Sequence, residues 1–367
     1  MHDPFLQLAI AEGFGEALVP ALLAPDLDPD EWLACPPEPP TVPPRIAERL
    51  RQPDLEARAA AIRRAAREHG LRVLTPADAD FPPQLQEAPL RPLVLFVRGE
   101  VTALQRRPAA AVVGSRTPTP YGQDAAESLG RALARAGASL WSGLARGVDG
   151  IVHSACVAAG VPTIAVLAGG LDAIYPAEHA PLADRIVATG GALLSELPPG
   201  QRARRGHFVR RNRILALATD HVVVVEASLT SGALHTARFA AEAGPEVYAL
   251  PGPWHSERSQ GCHRLLAEGA HVIESTDGLL QALGLGTGSA AVSHHLARSA
   301  DEERVLQAAA GGPRPTDLLA RECGLERGAF LRALFRLEQQ GTLQRLPGDL
   351  WRRLHGSDAA AAAPTNR

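Results

Sequence analysis

The sequence predicts an α/β protein in which an extended Rossmann-like domain with a parallel sheet lies between a helical N-terminal domain and a C-terminal winged-helix domain. From about residue 80 to 285, short β-branched runs alternate with helix-length amphipathic stretches, which is typical of a parallel sheet with helices on both faces. Leucine and alanine recur with helical periodicity before this region, and two helical stretches with a short hairpin follow it. A chain of 367 residues is long enough for two or three such domains.

Residues 1–78 predict the small helical domain. Its leucine- and alanine-rich stretches are broken by a proline-rich segment at residues 36–44. Gly13-Phe14-Gly15 precedes the apolar segment Leu18–Leu23, and a Gly-x-Gly hairpin can offer backbone amides to a phosphate. A helix-hairpin-helix relative and a plain packing domain therefore both fit, and the packing domain is favoured because the motif is weak.

Residues 79–285 predict the Rossmann-like domain. Its candidate strands are short and apolar: Ala109–Val113, Ser139–Trp141, Thr163–Leu167, Leu193–Glu196, His221–Glu226 and Val247–Leu250. In open parallel sheets, ligands bind beyond the carboxyl ends of the strands. The loops that follow these strands are therefore the places where a site is expected.

The C-terminal part predicts a Gly- and Ser-rich linker at residues 286–300, a winged helix at residues 301–355 and a disordered tail at residues 356–367. Two helical stretches flank Cys323, and a leucine-rich hairpin follows them. The expected recognition helix, around 327–337, carries only three arginines. The winged helix is therefore predicted to be an auxiliary contact, with duplex DNA as one candidate ligand, or a protein-interaction module.

Composition limits the classes of function. The net charge of −3 means that any nucleic-acid site must come from local clustering of positive charge. The four cysteines are scattered without a C-x-x-C pair, which favours a reducing compartment and predicts neither a zinc site nor a disulfide framework. No apolar run of about 20 residues and no basic N-terminal region are present. We therefore expect a cytoplasmic protein that is neither exported nor membrane-spanning.

The loop after the first candidate strand has the make-up of a phosphate cradle. Gly114 directly after the strand lets a phosphate approach the backbone, Ser115 and Arg116 supply donors, and a helix begins a few residues later. The loop lacks the G-x-x-x-x-G-K-[ST] and G-x-G-x-x-G patterns, so neither ATP hydrolysis nor hydride transfer is supported. A structural turn with a surface arginine is the alternative.

The loop after the second candidate strand contains Gly143 and Arg146, and a helix with Asp149 and His153 follows it. Residues four apart on a helix share a face, so Asp149 and His153 are placed together. Two interpretations remain open for them: an acid/base pair, or a hydrogen-bonded pair that fixes the turn around the site.

A third segment is rich in arginine and predicts the main nucleic-acid contact. Guanidinium groups bind phosphates bidentately, and an aromatic ring among them offers a face for a base, worth ~1–3 kcal/mol per stacked base. We expect this segment to be a loop that enters the apolar helix 214–218. Its residues are Arg202, Arg204, Arg205, His207, Phe208, Arg210, Arg211, Asn212 and Arg213.

A fourth segment again joins a strand end to a helix. Ser231, Gly232 and Thr236 could supply donors to a phosphate, whereas Glu226 could hold a ribose, an arginine or a buried amide. Four polar, glycine-rich loops are thus expected to converge on one edge of the sheet.

Together these motifs resemble one family, the bacterial DNA-processing protein A family (DprA, also called Smf). The resemblance extends from Phe81 to Ala270. Its ordered matches include Gly114-Ser115-Arg116, Ser142 to Asp149, Gly169 to Pro176, Arg211 to Ile214, Ser231 to Leu234 and Pro251-Gly252.

The resemblance implies a single-stranded-DNA-binding recombination mediator that dimerises through its Rossmann-like domain. Such a protein protects incoming DNA, helps to overcome single-strand-binding protein and loads the recombinase RecA during natural transformation. The resemblance also implies a sterile-alpha-motif-like (SAM-like) N-terminal domain, and it implies no chemical step, cofactor or metal.

Carried over by position, the resemblance assigns roles to individual residues. The sequence departs from the family at Thr230, where a lysine is common, and at Val209, where a proline is common; Arg205 and Arg210 are the natural substitutes for the missing charge. Asp149, His153, Asn212 and Glu226 are expected to shape the pocket. The expected DNA-binding residues are Gly114, Ser115, Arg116, Gly143, Arg146, Arg204, Arg205, Phe208, Arg210, Arg211, Arg213, Ser231 and Gly232.

The alternative function is an enzyme. Nucleoside-monophosphate phosphoribohydrolases have a related Rossmann-like fold and bind nucleotides at a similar edge. Their P-G-G-x-G-T signature is not visible here, and Pro251-Gly252-Pro253-Trp254 is a poor substitute.

Overall fold

The structure is a computed structural model that describes residues 3–15, 18–39, 41–285, 299–309, 312–339, 342–346 and 349–353. The chain divides into two compact units, Met1–Thr287 and Gly288–Arg367. Residues 286–298 of the expected linker and the whole expected tail, 356–367, lie outside the described residues. The limit expected at residue 78 stays a prediction, and strand β1 (Arg72–Leu74) already belongs to the main sheet.

Four helices form the N-terminal part of the first unit: α1 (Pro4–Glu12), α2 (Pro29–Ala34), α3 (Pro44–Leu50) and α4 (Leu55–Glu68). The first three begin with proline, which suits the first turn because an N–H there has no partner within the helix. The Asp3 carboxylate caps α1 by accepting from the backbone N–H of Leu6. Leu6 and Ile46 share one hydrophobic cluster with Phe96 and Leu193 of the sheet region, so these helices pack on it.

The Gly-x-Gly hairpin after α1 uses its backbone amides inside the protein. The amides of Gly13 and Phe14 donate to the carbonyl of Ala9, at 2.8 and 2.9 Å. The amide of Gly15 donates to the Glu12 carboxylate at 2.5 Å. These donors do not face a phosphate, which agrees with the packing interpretation.

A nine-stranded sheet organises the rest of the first unit, in the order β1-β2-β6-β5-β4-β3-β7-β8-β9. Strands β3 to β8 coincide, within two residues at each end, with the six strands that the sequence predicts. The remaining strand bounds are β2 (Leu95–Gly99), β3 (Ala109–Val113), β4 (Ser139–Ser142), β5 (Thr163–Val166), β6 (Ala192–Ser195), β7 (His221–Val224), β8 (Glu246–Ala249) and β9 (His271–Val272).

The sheet is parallel from β6 through β9 but antiparallel at one edge. Strand β2 pairs antiparallel with both β1 and β6, with Phe96 opposite Ser195 and Val97 opposite Leu194. The predicted parallel sheet is confirmed for the seven strands from β6 through β9 in the sheet order. The sheet also has an antiparallel part, β1 and β2, which the sequence did not predict. The strands β1, β2 and β9 were not predicted. Two of them are very short, since β1 has three residues and β9 has two.

Helices cover both faces of this sheet, as the alternating pattern predicts. None of the helices within the described ranges is long and apolar enough to cross a membrane. Short 3-10 helices occur at Val101–Gln105 and Ala177–His179. The α-helices are α5 (Pro83–Gln86), α6 (Pro120–Arg135), α7 (Val148–Ala158), α8 (Ala180–Ala188), α9 (Arg205–Leu217), α10 (Ala233–Ala243), α11 (Gln260–Ala267) and α12 (Thr276–Ala282).

Helix α9 corrects one prediction. The arginine-rich segment is not a loop: the helix begins at Arg205, nine residues before the expected start at residue 214. The first two turns of α9 are mostly polar, whereas its last two turns are buried. The apolar pattern in the sequence therefore predicted only the second half of the helix. Burial therefore follows position along the helix: the arginines before Arg211 are exposed or half-buried, and Arg211 and Arg213 are buried.

The second unit has the winged-helix arrangement that the sequence predicts. A buried cluster that includes Val305, Phe330, Leu337 and Trp351 forms its core. Its three-stranded sheet has the order β10-β12-β11. The elements are α13 (Ala300–Ala308), β10 (Arg314–Pro315), α14 (Thr316–Cys323), α15 (Arg327–Gln339), β11 (Leu343–Leu346) and β12 (Leu350–Arg353).

Candidate nucleic-acid interface

A surface cleft of about 670 Å³ lies at the carboxyl ends of the parallel strands, where the predicted loops converge. It is formed by the loops after β3, β4, β5, β7 and β8 together with the first turns of α9 and α10. Its lining includes Gly114, Ser115, Arg116, Thr117, Asp149, Tyr175, Arg205, Phe208, Arg211, Asn212, Ser231, Gly232, Thr236 and Arg258.

Three side chains from separate segments stack at this cleft. The guanidinium of Arg116, in the loop after β3, lies 5.2 Å from the centroid of the Phe208 ring on α9. The ring of Tyr175, in the loop after β5, meets Phe208 edge-on, with ring centroids 5.7 Å apart. Tyr175 is 55% exposed, so most of its ring is open to a ligand. A cation beside aromatic faces is the surface on which an unpaired base and its phosphate can both be held.

The outward arginines around the cleft keep their charge available. Arg116, Arg204 and Arg205 are exposed, and Arg210 is half-buried. Among the described residues, no carboxylate forms an ion pair with any of these four guanidinium groups. Arg146 differs, because its guanidinium is exposed but pairs with Glu178, with Nη2 to Oε2 at 3.0 Å. Of these four, Arg116 and Arg205 line the cleft and can meet a phosphate there directly.

Arg211 faces inward, which corrects its expected role as a DNA contact. Its guanidinium donates to the carbonyl of Gly143 at 2.6 Å, to the carbonyl of Val166 and to the Asn212 side chain at 3.2 Å. Burial, and then the nearby charge of Arg116, lower the pKa of Arg211 to about 10, although Asp149 favours its charged form. Arg211 is thus a buried cation that ties together the loops after β4 and β5 beneath the cleft.

Arg213 is a second correction. Its side chain is fully buried and forms a two-bond ion pair with Glu196, at 2.8 and 2.5 Å. It also donates to the carbonyls of Leu90 and Arg210. Its hydrogen bonds are therefore made inside the protein, and it has no face to offer to a DNA strand.

Gly143 is also corrected, because its backbone groups are used within the fold. Its amide donates to the Asp149 carboxylate at 3.1 Å, and its carbonyl accepts from Arg211. A Cβ at this position would lie 2.5 Å from the Arg211 guanidinium, so a larger residue here would require that side chain to shift.

Asp149 and His153 form neither the acid/base pair nor the hydrogen-bonded pair of the two interpretations, because among the described residues no hydrogen bond joins them. The Asp149 carboxylate accepts from the amides of Gly143 and Ala145, and burial raises its pKa. His153 instead lies with Nδ1 3.0 Å from the Thr163 hydroxyl, which itself donates to the carbonyl of Leu140. Burial lowers the pKa of His153 to about 3, so its ring is neutral. Asp149 therefore holds the loop after β4 at the cleft, and His153 lies against strand β5, away from Asp149's partners.

The loop that carries Arg116 is anchored by Glu226 and by Arg258 but keeps two backbone amides unused. The Glu226 carboxylate accepts from the backbone N–H and the hydroxyl of Thr119, at 2.9 and 2.8 Å. Glu226 therefore holds a buried amide, one of the roles that the sequence left open. Among the described residues, the backbone amides of Ser115 and Arg116 have no acceptor, so they remain available to an anion.

The loop before α10 forms the opposite wall. Asn212 donates from its side chain to the carbonyl of Gly232 at 3.0 Å, which joins α9 to this loop. The Ser231 hydroxyl accepts from the amide of Ala233 at 3.3 Å. Thr236 is fully buried at the base of the cleft, and its hydroxyl has no partner among the described residues. Asn212 thus lines the cleft and its role in shaping the pocket stays a prediction, while the start of α10 contributes polar groups.

Two lining residues were not singled out from the sequence. Tyr175 lies within a motif that carried the family resemblance, but no strand or helix pattern places it beside Phe208, 33 positions later. The Arg258 guanidinium donates to the hydroxyls of Ser115 and Thr117, at 3.3 and 2.6 Å, from 141 positions away or more. One signal could have identified Tyr175 and Arg258 from the sequence: both lie in loops that follow the carboxyl ends of parallel strands.

The chain was compared with known protein families and curated proteins. Residues 72–284 match the family model for DNA recombination-mediator protein A, and residues 277–349 match the DprA winged helix domain. The chain is 44% identical over 214 residues to protein Smf of Escherichia coli strain K12, covering 58% of this chain and 57% of Smf. It is 37% identical over 219 residues to the DNA processing protein DprA of Bacillus subtilis strain 168, covering 60% of this chain and 73% of that protein. The matched region thus spans little more than half of Smf.

Two solved structures are similar over most of their own length. The X-ray structure of DNA processing protein A from Streptococcus pneumoniae superposes with a TM-score of 0.59 at 31% identity, covering 76% of this chain and 93% of that one. A structure of DNA processing protein A from Helicobacter pylori, described for its single-stranded DNA binding mode, gives a TM-score of 0.52 at 29% identity, covering 58% and 95%. Sequence and fold agree, and the chain belongs to the DNA recombination-mediator protein A family, also known as DprA or Smf.

Proposed function

We propose that this protein binds single-stranded DNA in the cleft and acts as a recombination mediator that protects incoming DNA and loads RecA during natural transformation. The observation that carries the proposal is the stack of Arg116, Phe208 and Tyr175 beside unpaired arginines. Support also comes from the family and from the Helicobacter pylori relative, whose structure is described for single-stranded DNA binding.

The geometry favours a backbone grip without a sequence code. Guanidinium groups and free loop amides bind phosphate oxygens, which are the same for every sequence. Each base stacked on an aromatic ring contributes ~1–3 kcal/mol, whichever base it is. The cleft therefore suits a protein that must accept any DNA sequence.

Single-stranded DNA fits this cleft better than duplex DNA does. A base can lie against Phe208 or Tyr175 only if its own face is uncovered, and in a duplex the neighbouring base pairs cover that face. Tyr175 presents its ring at 55% exposure, and Phe208 lies beside it. The proposal therefore assigns the cleft to unpaired bases, and it leaves duplex DNA to the winged helix as an auxiliary ligand.

We further propose binding without turnover, in the cytoplasm, by a homodimer that works with RecA and against single-strand-binding protein. The two acid/base candidates behind the cleft support the absence of a chemical step. The Asp149 carboxylate is taken by two backbone amides, and His153 is a buried neutral ring. The two residues thus have separate partners and are not arranged as an acid/base pair that acts on a bound strand.

The test is binding of a labelled unstructured oligonucleotide and its matching duplex across a salt series, beside an assay for free base released from nucleoside monophosphates. We expect tight single-strand binding that weakens steeply with salt, weaker duplex binding and no free base. Absence of oligonucleotide binding together with release of free base would favour the phosphoribohydrolase alternative and overturn the proposal.

A further inference from the structure

Trp254 is an exposed residue on the side of the sheet where the parallel strands have their carboxyl ends, the same side as the cleft. It is in the loop after β8, and it is 85% exposed, more than any other large apolar side chain among the described residues. Trp141 and Trp351 are buried, and Trp32 is half-buried. A tryptophan that packs on its own fold buries ~150–250 Å² of surface, so a ring left in water beside a ligand site is a candidate contact.

The loop of Trp254 is held in place on both sides of the ring. The hydroxyl of Tyr121 donates to the carbonyl of Pro251 at 2.7 Å. His263 donates from Nε2 to the carbonyl of Gly252 at 3.0 Å. The amide of Ser256 donates to the carbonyl of Pro253 at 3.0 Å, which closes a turn around Trp254. The backbone is therefore organised before any ligand arrives, which reduces the entropy lost on binding.

Arg258 connects this loop to the cleft. Its guanidinium donates to the carbonyl and hydroxyl of Thr117 and to the hydroxyl of Ser115, the loop that also carries Arg116. Arg258 also lines the cleft, so it adds a positive charge where the cleft meets the loop of Trp254.

We propose that Trp254 is a second stacking platform for the same DNA strand, outside the cleft. Its ligand is an unpaired base a few nucleotides from the one beside Phe208. The inference rests on the proposed function, because it requires that the cleft holds single-stranded DNA. It extends the binding path from the loop after β5 across the cleft to the loop after β8.

The test uses oligothymidylates of two lengths, about 4 and about 20 nucleotides, each with a fluorescent label. Label anisotropy measures affinity, and intrinsic tryptophan fluorescence measures stacking on the indole. We expect the long oligonucleotide to quench the wild-type protein and to bind Trp254→Ala about 5- to 100-fold more weakly. The short one is expected to bind both proteins equally, and Trp254→Phe is expected to recover most of the loss.

Leu229→Ala is the matched control, because Leu229 is 50% exposed in the neighbouring loop and has no assigned contact with DNA. It is expected to bind like wild type. Equal affinity of wild type and Trp254→Ala for the long oligonucleotide, or quenching that persists in Trp254→Ala, would overturn the role of Trp254 while leaving the proposed function intact. Failure of the wild-type protein to bind either oligonucleotide would overturn both.

Discussion

Helix α9 and its preceding residue carry two groups of arginines that differ in almost every physical respect. Arg204, Arg205 and Arg210 point outward or lie half-buried, and no carboxylate in the described part of the chain pairs with them. Arg211 and Arg213 are buried, and their guanidinium groups bond to loop carbonyls and to Glu196. Arginines within ten positions of one another thus have different roles: the outward ones keep their charge available, and the inward ones bond within the protein.

The difference teaches that a guanidinium is available to DNA only when the fold leaves its hydrogen bonds unmade. A buried arginine has lost its hydration, so it is stable only when carbonyls or carboxylates replace that water. An outward arginine keeps its hydration and exchanges it for phosphate on binding. Inward substitutions should therefore damage folding, and outward substitutions should damage binding.

The largest expected effect comes from Arg213→Ala. It leaves the Glu196 carboxylate buried without its partner, and breaking a buried pair in this way costs about 3–5 kcal/mol of the free energy of unfolding. Urea unfolding measures it. The outward counterpart, Arg205→Ala, is expected to stay within about 0.5 kcal/mol of wild type.

The double variant Glu196→Leu with Arg213→Met is the matched control for that experiment. It removes both charges and keeps similar volume, so it is expected to be more stable than Arg213→Ala alone. A loss as small for Arg213→Ala as for Arg205→Ala would show that the inward pair does not hold the fold.

The pH dependence of stability tests a third buried group, the side chain of His153. In the unfolded chain His153 takes up a proton below its ordinary pKa of 6.5, whereas in the fold burial lowers its pKa to about 3. Between these values the unfolded state binds more protons, so this group lowers the free energy of unfolding by about 1.4 kcal/mol for each unit that the pH falls. Above pH 6.5 it contributes no pH dependence.

The measurement is urea unfolding of wild type and His153→Leu from pH 8 down to about 4. The stability of wild type relative to the variant is expected to fall below pH 6.5. His235→Asn, a substitution of an exposed histidine in the cleft, is the control and is expected to follow wild type. Parallel curves for wild type and His153→Leu would contradict the buried, neutral assignment.

The outward side is tested by the double variant Arg205→Ala with Arg210→Ala. Two guanidinium groups that can reach phosphates are lost, so single-stranded DNA affinity is expected to fall roughly tenfold or more, about equally for all sequences. Anisotropy with two unrelated oligonucleotides measures it. A loss confined to one sequence would indicate base reading and count against a backbone grip.

The smallest effect is expected in the winged helix. Helix α15 exposes Leu331 and Phe335 beside its arginines, and Arg336 lies 3.6 Å from the Glu302 carboxylate. Arg327→Ala with Arg332→Ala is therefore expected to change single-stranded DNA affinity by no more than about twofold. A loss as large as that of the α9 double variant would move the main site to this unit.

Much of this architecture could be predicted from the sequence, because strand and loop signals are local. The six central strands follow from apolar runs, and Arg116 and Phe208, both singled out from the sequence, do meet at the cleft, with 5.2 Å between guanidinium and ring centroid. Their contact with DNA stays a prediction. The burial of Arg211 and Arg213 could not be predicted, because α9 becomes buried from its seventh residue on and the charged sequence does not show where that burial begins. The role of Arg258 could not be predicted, because its contact with Thr117 joins residues that are 141 positions apart in the sequence.

The most direct test of the central claim compares the salt dependence of single-stranded DNA binding for wild type, Arg116→Ala and Arg116→Lys. The logarithm of affinity against the logarithm of salt concentration is expected to lose about 0.7 of slope in Arg116→Ala, one phosphate contact, with stability unchanged. Arg116→Lys is expected to keep the slope but bind more weakly, because the stack on Phe208 is lost. An unchanged slope and affinity in Arg116→Ala would contradict the placement of the DNA backbone in this cleft.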